Sequence, residues 1–207
     1  MSTATAKTAL TVTGLTEVGS SLRARVARMK NLEPAMRVIA AAVDQLVDDS
    51  FRNQASPSGT PWAPLSGVTV YRRIARKKSG DRITYQMRRV MTKRGKLTKR
   101  AQGLLAPGAM QRLTDTGRLR RSLFARGEAK AVAFGASKVA YARAQHFGNP
   151  DNRMFGGAAA PIPARPFLPV ERAGSKLVLM RSGAAGRLWR EARAILAAYI
   201  VRGKAAP

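Results

Sequence analysis

A long amphipathic pattern between residues 34 and 51 constrains the fold more than any other feature of the sequence. Pro34 stands where a helix can begin, because a proline at the first helical position lacks only an N–H that would have no intrahelical partner. Apolar residues then recur at helical spacing on one face, at Met36, Ile39, Ala40, Val43, Leu46, Val47 and Phe51. A helix with one apolar face has to bury it, so the pattern predicts a long helix lying against the core.

A second amphipathic pattern lies near the end of the chain. It begins with Leu177, and its convincing half runs from Gly186 to Arg202. Between the two helices, the stretch KAVAFGA around Val132 and Phe134 predicts a strand closed by a glycine turn at Gly135. The order of elements predicts an α+β fold, in which the two long helices pack on a small, mainly antiparallel sheet.

Two short helices are predicted between the long ones. LTDTGRLRRSL is typical of a cap followed by a helix, with Thr114 or Thr116 as the N-cap. VAYARAQHFG predicts a short helix that ends at Gly148. The proline-rich IPARPFLPV, residues 162–170, is expected to be extended, because a residue before proline avoids the helical region.

The chain has the composition of one domain. With 207 residues and 45% hydrophobic residues it can bury one ordinary core. Residues 1–33 are expected to form an arm, extended or disordered at first, and then a short helix from Leu15 to Lys30, while residues 34–207 form a single α+β domain. No apolar run is long enough to span a membrane, the N-terminus lacks the pattern of a signal peptide, and the absence of cysteine excludes disulfides.

A strong positive charge requires anionic partners. Lys and Arg number 38 against 11 Asp and Glu, which gives a net charge of +27. The charge is concentrated in residues 72–100, which hold 13 Lys and Arg and a single acidic residue, Asp81. Apolar residues are sparse in this segment, so the interpretation is a protruding basic insertion over about residues 72–111 rather than core.

The insertion is the candidate surface for DNA or another anionic partner. Tyr71 and Tyr85 would allow base stacking, but no sequence-reading motif is present, so only contact with a phosphate backbone is supported. The candidate contacts are Arg72, Arg73, Arg76, Lys77, Lys78, Arg88, Arg89, Lys93, Arg94, Lys96, Lys99 and Arg100.

The sequence gives no positive case for an enzyme, and it predicts no catalytic residue, metal site or cofactor. His146 is the single histidine and lacks the spacing of a zinc site or a nucleophile motif, so it is interpreted as a packed polar residue. Asp44, Asp48 and Asp49 would suit a cation site or an acid–base pair, but a solvated helix face or pairing with arginines is the simpler interpretation. Trp62, in a Pro/Gly-rich loop, fits an exposed interface anchor or a cover for the core equally well.

Four blocks, taken in order, resemble a known family. They are FRNQASPSGTPWAPLSGVT, LTDTGRLRRSL, VAFGASKVAYARAQHFG and IPARPFL. Together they are similar to the phage virion morphogenesis family, the tail-completion proteins of Mu-like and P2-like tailed bacteriophages, over roughly residues 35–200. The insertion is longer and more basic than the core of that family.

The resemblance implies a non-enzymatic structural protein that joins or completes the tail at the head–tail junction. It implies assembly in the host bacterial cytoplasm into a closed ring, with six copies expected, that contacts neighbouring connector and tail proteins and packaged DNA in its lumen. A tail terminator ring is the near alternative, and a non-sequence-specific nucleic-acid-binding protein is the alternative from another class.

In a ring, the stiff segment at residues 162–170 would suit a contact with a neighbouring subunit. An extended segment fixed by prolines loses little entropy on docking, and Pro163 and Pro166 lack N–H donors, which suits an edge beside a neighbour. We therefore expect Trp62, Arg165, Pro166 and Phe167 to contribute to a subunit or partner interface. The competing interpretation keeps Arg165 paired inside the subunit and Phe167 in the core.

Overall fold

The computed structural model describes residues 14–79, 82–106, 109–153 and 159–205, so the predicted arm before residue 14 lies outside the described residues. The helices of the described part are α1 (Leu15–Lys30), α2 (Glu33–Asn53), α3 (Gly67–Ala75), α4 (Lys99–Leu105), α5 (Arg118–Ser122), α6 (Ala142–Phe147) and α7 (Gly183–Arg202). The strands are β1 (Arg76–Ser79), β2 (Arg82–Tyr85), β3 (Leu123–Gly127), β4 (Val132–Ala136), β5 (Val170–Ala173) and β6 (Lys176–Leu179). The predicted α+β class is confirmed.

Helix α2 organises the core, and its buried face is the one predicted from the sequence. All seven apolar residues of that face are buried. The first turns pack on Ala192 and Ile195 of α7, and the middle of the helix packs on Leu188 of α7 and on Met180. The last turn packs on Trp62 and on residues from the second half of the chain. One helix therefore contributes to three adjoining core clusters.

The strands form three separate antiparallel hairpins rather than the single small sheet that was expected. The pairs are β1 with β2, β3 with β4, and β5 with β6. The β3–β4 hairpin lies against α2, and Gly127 allows the close approach, since an added Cβ there would overlap the main chain of Met36 and Arg37. Gly135 lies inside β4, opposite Phe124, so the prediction of a glycine turn at this residue was wrong.

Two other local predictions also need correction. Helix α5 has Gly117 as its N-cap, in the left-handed region at φ 68°, instead of Thr114 or Thr116. Leu177 lies in β6 and is 61% exposed, whereas the sequence placed it at the start of the last helix. That helix begins at Gly183, whose φ of 59° suits glycine in the turn after the hairpin.

The basic module, defined as residues 67–110, has a small core of its own. Ile74, Ala75, Val90 and Ala101 are buried together. Thr98 stabilises the start of α4, because its Oγ1 accepts from the Ala101 N–H at 3.1 Å and donates to the Arg89 carbonyl at 2.6 Å. The helices and strands of this module pack mainly on each other. The sparse apolar residues gave no signal of this small core, and the interpretation of the segment as an insertion outside the main core stays a prediction.

Helix α1 has the predicted bounds but buries none of its residues. Its apolar stripe is the set Leu15, Val18, Leu22, Val26 and Met29, whose exposure ranges from 47% to 67%. The helix is held at its C-terminal end, where Arg28 Nη1 donates to the Ile200 and Val201 carbonyls of α7, both at 2.9 Å. The stripe is thus apolar surface presented to solvent.

Candidate functional site: a buried arginine beside an open groove

The extended segment 162–170 is built into the subunit by main-chain hydrogen bonds. Ile162 and Asn149 exchange two of them, at 2.8 and 2.9 Å, and the Arg165 N–H donates to the Gln145 carbonyl at 2.8 Å. Residues 163–167 have no regular secondary structure, as expected for a stretch interrupted by prolines. The segment therefore has a fixed path that positions its side chains.

Arg165 is buried, with 6% of its surface exposed. Its Nε donates to the Ala63 carbonyl at 3.0 Å, its Nη2 to the Pro64 carbonyl at 2.8 Å, and its Nη1 to Gln145 Oε1 at 3.4 Å. The guanidinium thereby ties the 62–65 loop to the extended segment and to α6. Burial lowers the pKa of Arg165 below its ordinary value, and the nearby cations Arg112 and Arg73 lower it further.

Trp62 and Phe167 are core residues of the same region. Trp62 is 3% exposed and Phe167 is 1% exposed. Phe51 contacts both, with ring centroids 5.4 Å from Trp62 and 5.8 Å from Phe167, and the indole N–H of Trp62 donates to the Pro166 carbonyl at 2.7 Å. Both side chains hold the loop and the segment on α2.

These positions correct the expectation that Trp62, Arg165 and Phe167 present a contact surface. Their side chains are enclosed within the subunit, and Pro166 is only half-buried. Trp62 and Phe167 follow their core interpretation, and Arg165 is held inside the subunit, where it donates to main-chain carbonyls of its own chain.

His146 is a buried structural residue, 2% exposed. One ring nitrogen, Nε2, lies 3.0 Å from the Val170 carbonyl, and the other, Nδ1, accepts from the Phe167 N–H at 3.2 Å. This pattern requires the neutral ring with its proton on Nε2. Burial lowers the pKa of His146, partly offset by the hydrogen bond to Val170, so the ring stays neutral while holding the segment in place.

The three aspartates of α2 are engaged by arginines. Asp44 and Asp48 both pair with Arg120, whose Nη2 contacts the Asp48 carboxylate. Asp49 pairs with Arg52 at 3.0 Å. The arrangement is that of surface ion pairs, and no cluster able to hold a metal ion occurs among the described residues.

An open groove lies beside the Arg165 segment. We call it the arginine groove. It has a volume of about 800 Å³ and lies between the 64–73 stretch, the 113–119 stretch and the extended segment. Its charged lining residues include Arg72, Arg73, Asp115 and Arg165, and its apolar lining residues include Leu65, Val68, Tyr141 and Ile162. The groove therefore combines cationic and apolar surface.

The predicted anionic-partner residues divide into three groups. Exposed side chains belong to Arg72, Arg88, Lys93, Arg94, Lys96, Lys99 and Arg100. Arg73, Arg76 and Arg89 are partly buried, and the first two meet Asp115. Lys77 and Lys78 lie in β1, but their side chains lie outside the described part of the structure. The predicted set is therefore not one surface: part of it lines the arginine groove, and part surrounds the turn at residues 91–97.

Sequence reasoning missed Asp115, Arg112 and Gln145. Asp115 accepts both hydrogen bonds of an Arg76 fork at 2.6 and 3.0 Å. The sequence did offer one indication for Asp115: an isolated acidic residue in so basic a chain has many arginines to pair with. Arg112 and Gln145 gave no signal, since their roles arise only from contacts across the fold.

In a comparison with protein-family models, residues 12–106 match the phage virion morphogenesis family. The predicted resemblance is confirmed over these residues, which make up just under half of the chain.

The matched range includes α1, α2 and most of the basic module. Of the four blocks that carry the resemblance, the one around Trp62 lies inside this range, and the other three follow it. The family indicates a phage structural or morphogenetic role and a virion-associated protein.

No curated protein and no solved structure matches the chain significantly. Within the described residues, no helix is long and apolar enough to cross a membrane.

Proposed function

We propose that this chain is a structural subunit of a tailed-phage neck, which forms a closed ring at the head–tail junction and acts in tail completion or head–tail joining. The match of residues 12–106 to the virion morphogenesis family carries the proposal. A ring subunit needs surfaces that bind identical neighbours in closed symmetry. The virion is then its location, after assembly in the bacterial cytoplasm.

Exposed apolar surface supports assembly. The five side chains of the α1 stripe are each about half exposed or more, and Leu177 and Leu179 on β6 are 61% and 45% exposed. Contiguous apolar surface of this kind is uncommon on a monomer and is typical of contact sites. We propose that neighbouring subunits cover the α1 stripe in the ring.

The exposed cations of the basic module support an anionic neighbour. Lys93, Arg94 and Lys96 lie at an exposed turn between Met91 and Leu97, away from the three main core clusters. Positive potential there would steer the subunit toward packaged DNA in the lumen or toward an acidic face of a connector or tail protein. A tail terminator ring would use the same features at the end of the tail tube.

Light scattering at moderate salt tests the ring. We expect a discrete oligomer without DNA, with six times the 22.3 kDa subunit mass as the expected value. Leu22→Glu should lower the mass, since it places a charge in the α1 stripe, while Ser21→Glu is the matched control on an exposed neighbouring position. A monomer for the unmodified protein, with and without duplex DNA, would contradict a ring formed by this chain alone.

The exposed cations also favour the alternative of a nucleic-acid-binding protein, and salt separates the two functions. A protein that coats DNA binds free duplex with an affinity that falls steeply as salt rises, because each phosphate contact releases counterions. Assembly that occurs only on short duplex DNA, with such a salt slope, would favour this alternative. Imaging of labelled subunits on intact particles would separate the neck from the tail terminator position.

A further inference from the structure

We propose that the arginine groove binds an extended acidic segment of a partner protein. Carboxylates of the segment would pair with Arg72, Arg73 and Arg165, and its apolar side chains would lie on the apolar residues that line the same groove. This inference concerns the groove alone and does not depend on formation of the ring.

The groove has more cations than the subunit neutralises. Both carboxylate oxygens of Asp115 are taken by Arg76, and Arg73 Nε lies 3.8 Å from the same carboxylate. Among the described residues, no carboxylate pairs with Arg72 or Arg165. A single carboxylate thus pairs with two of the guanidinium groups at this site, so the groove keeps a net positive charge that an anionic ligand would neutralise.

Arg165 is the strongest indication of a ligand. An arginine side chain has five N–H groups, and three atoms of Arg165 each make one hydrogen bond within the subunit. The remaining N–H groups belong to a side chain that is 94% removed from solvent and lines the groove. A buried cation without a paired acid is costly, and a carboxylate from a ligand would offset that cost.

The apolar lining residues favour a peptide over a nucleic-acid backbone. Leu65, Val68 and Ile162 face the same volume as the arginines, so a ligand that fills it has to bring apolar groups as well as anionic ones. A phosphate backbone supplies only the charge. Pro161 and Pro163 also line the groove and have no N–H to donate, so a regular β-ladder with the ligand lacks donors there and side chains carry the recognition.

Fluorescence anisotropy with a labelled octapeptide of alternating Glu and Leu tests the proposal on the full-length protein. Two probes serve as comparison: the same peptide with Gln in place of Glu, and a short DNA duplex. We expect the Glu–Leu peptide to bind at least tenfold more tightly than the Gln–Leu peptide, because charge-assisted hydrogen bonds from arginine to several carboxylates are stronger than hydrogen bonds to neutral amide oxygens.

Variants locate the binding. Arg72→Gln should weaken the Glu–Leu peptide about fivefold, the effect of losing one partly exposed charge pair, while Arg190→Gln on α7 removes the same charge outside the groove and should change binding by less than about twofold. Val68→Ser makes the apolar lining of the groove more polar at a residue that is 49% exposed, so folding should be preserved while peptide affinity falls. Duplex affinity should not respond to Val68→Ser.

Three results would overturn the proposal. The first is no binding of the Glu–Leu peptide at millimolar concentration. The second is equal weakening by Arg72→Gln and Arg190→Gln, which would show attraction to the overall charge of the protein. The third is tighter binding of the duplex with loss on Arg72→Gln and none on Val68→Ser, which would assign the cations of the groove to phosphate.

Discussion

Phe167 anchors the extended segment, and its replacement by alanine should destabilise the subunit strongly. The side chain is 1% exposed, and its ring centroid lies 5.8 Å from Phe51 and 4.9 Å from His146. Truncation of a buried Phe costs about 3–5 kcal/mol through lost transfer free energy and the cavity that remains. Because the two ring contacts are lost as well, we expect the free energy of unfolding to fall by about 4 kcal/mol. That loss is a large part of the stability of an ordinary domain.

Urea unfolding followed by circular dichroism would measure this free energy. Self-association stabilises the folded state, so the comparison has to be made at one protein concentration and repeated on dilution. Phe167→Leu, which retains most of the volume, should cost less than about 2 kcal/mol. Phe124→Ala is the control, since Phe124 is only half-buried on β3, and about 1–2 kcal/mol is expected.

A small effect would refute the reasoning. If Phe167→Ala lowers the free energy of unfolding by less than about 1 kcal/mol with an unchanged urea dependence, the ring does not fill the core beneath the segment.

Three further perturbations test other parts of the fold. Gly127→Ala should destabilise the subunit by about 2 kcal/mol or more, because the added Cβ would overlap the main chain of α2 and force β3 away. His146 should make stability fall as the pH drops below about 6.5, since its folded pKa is lowered and the unfolded state then binds more protons. The free energy of unfolding should then change by at most about 1.4 kcal/mol per pH unit, and this dependence should be absent in a His146→Gln variant. Replacement of residues 67–110 by a Gly/Ser linker should leave a folded subunit, because none of the three main core clusters contains these residues.

Each of these has a control and a contradicting result. Gly103→Ala, where an added Cβ meets nothing within 4 Å, should be tolerated, and equal effects for the two glycines would remove the steric argument. His146 is the single histidine, so an unchanged slope between pH 5 and 7 in the His146→Gln variant would assign the titration to another group. Loss of the helical circular dichroism of α2 and α7 on removal of residues 67–110 would show that the basic module is part of the main core.

The long helices could be predicted from the sequence because their signal is local. The face of α2 repeats at helical spacing, and burial of that face follows from its apolar character wherever the partner lies. Helix α1 shows the limit of this rule. Its spacing predicted the helix bounds, but whether the apolar side chains are covered depends on neighbours, and in the subunit they stay exposed.

The candidate site could be predicted only in part. The sequence drew attention to the IPARPFLPV segment and to Trp62, because prolines, an aromatic residue and a lone cation in so short a stretch are unusual. It left an interface and an intramolecular position open for these side chains, and contacts from residues about a hundred positions away decide for the second. Arg165 donates to the carbonyls of residues 63 and 64, and Trp62 donates to the carbonyl of Pro166. Such long-range pairs leave no periodic trace.

The sequence by itself determined the helix faces, the extended path of the proline-rich segment, the concentration of positive charge in the basic module and the resemblance to a virion family. These depend on residue type and spacing over a few turns of chain. Only the tertiary structure decided that both carboxylate oxygens of Asp115 bind Arg76 and that no carboxylate among the described residues pairs with Arg165. It also decided that a groove with apolar and cationic lining residues lies beside Arg165. Those features depend on which residues, distant in the sequence, the fold brings within a few ångströms of each other, because charge pairing and burial act over such short distances.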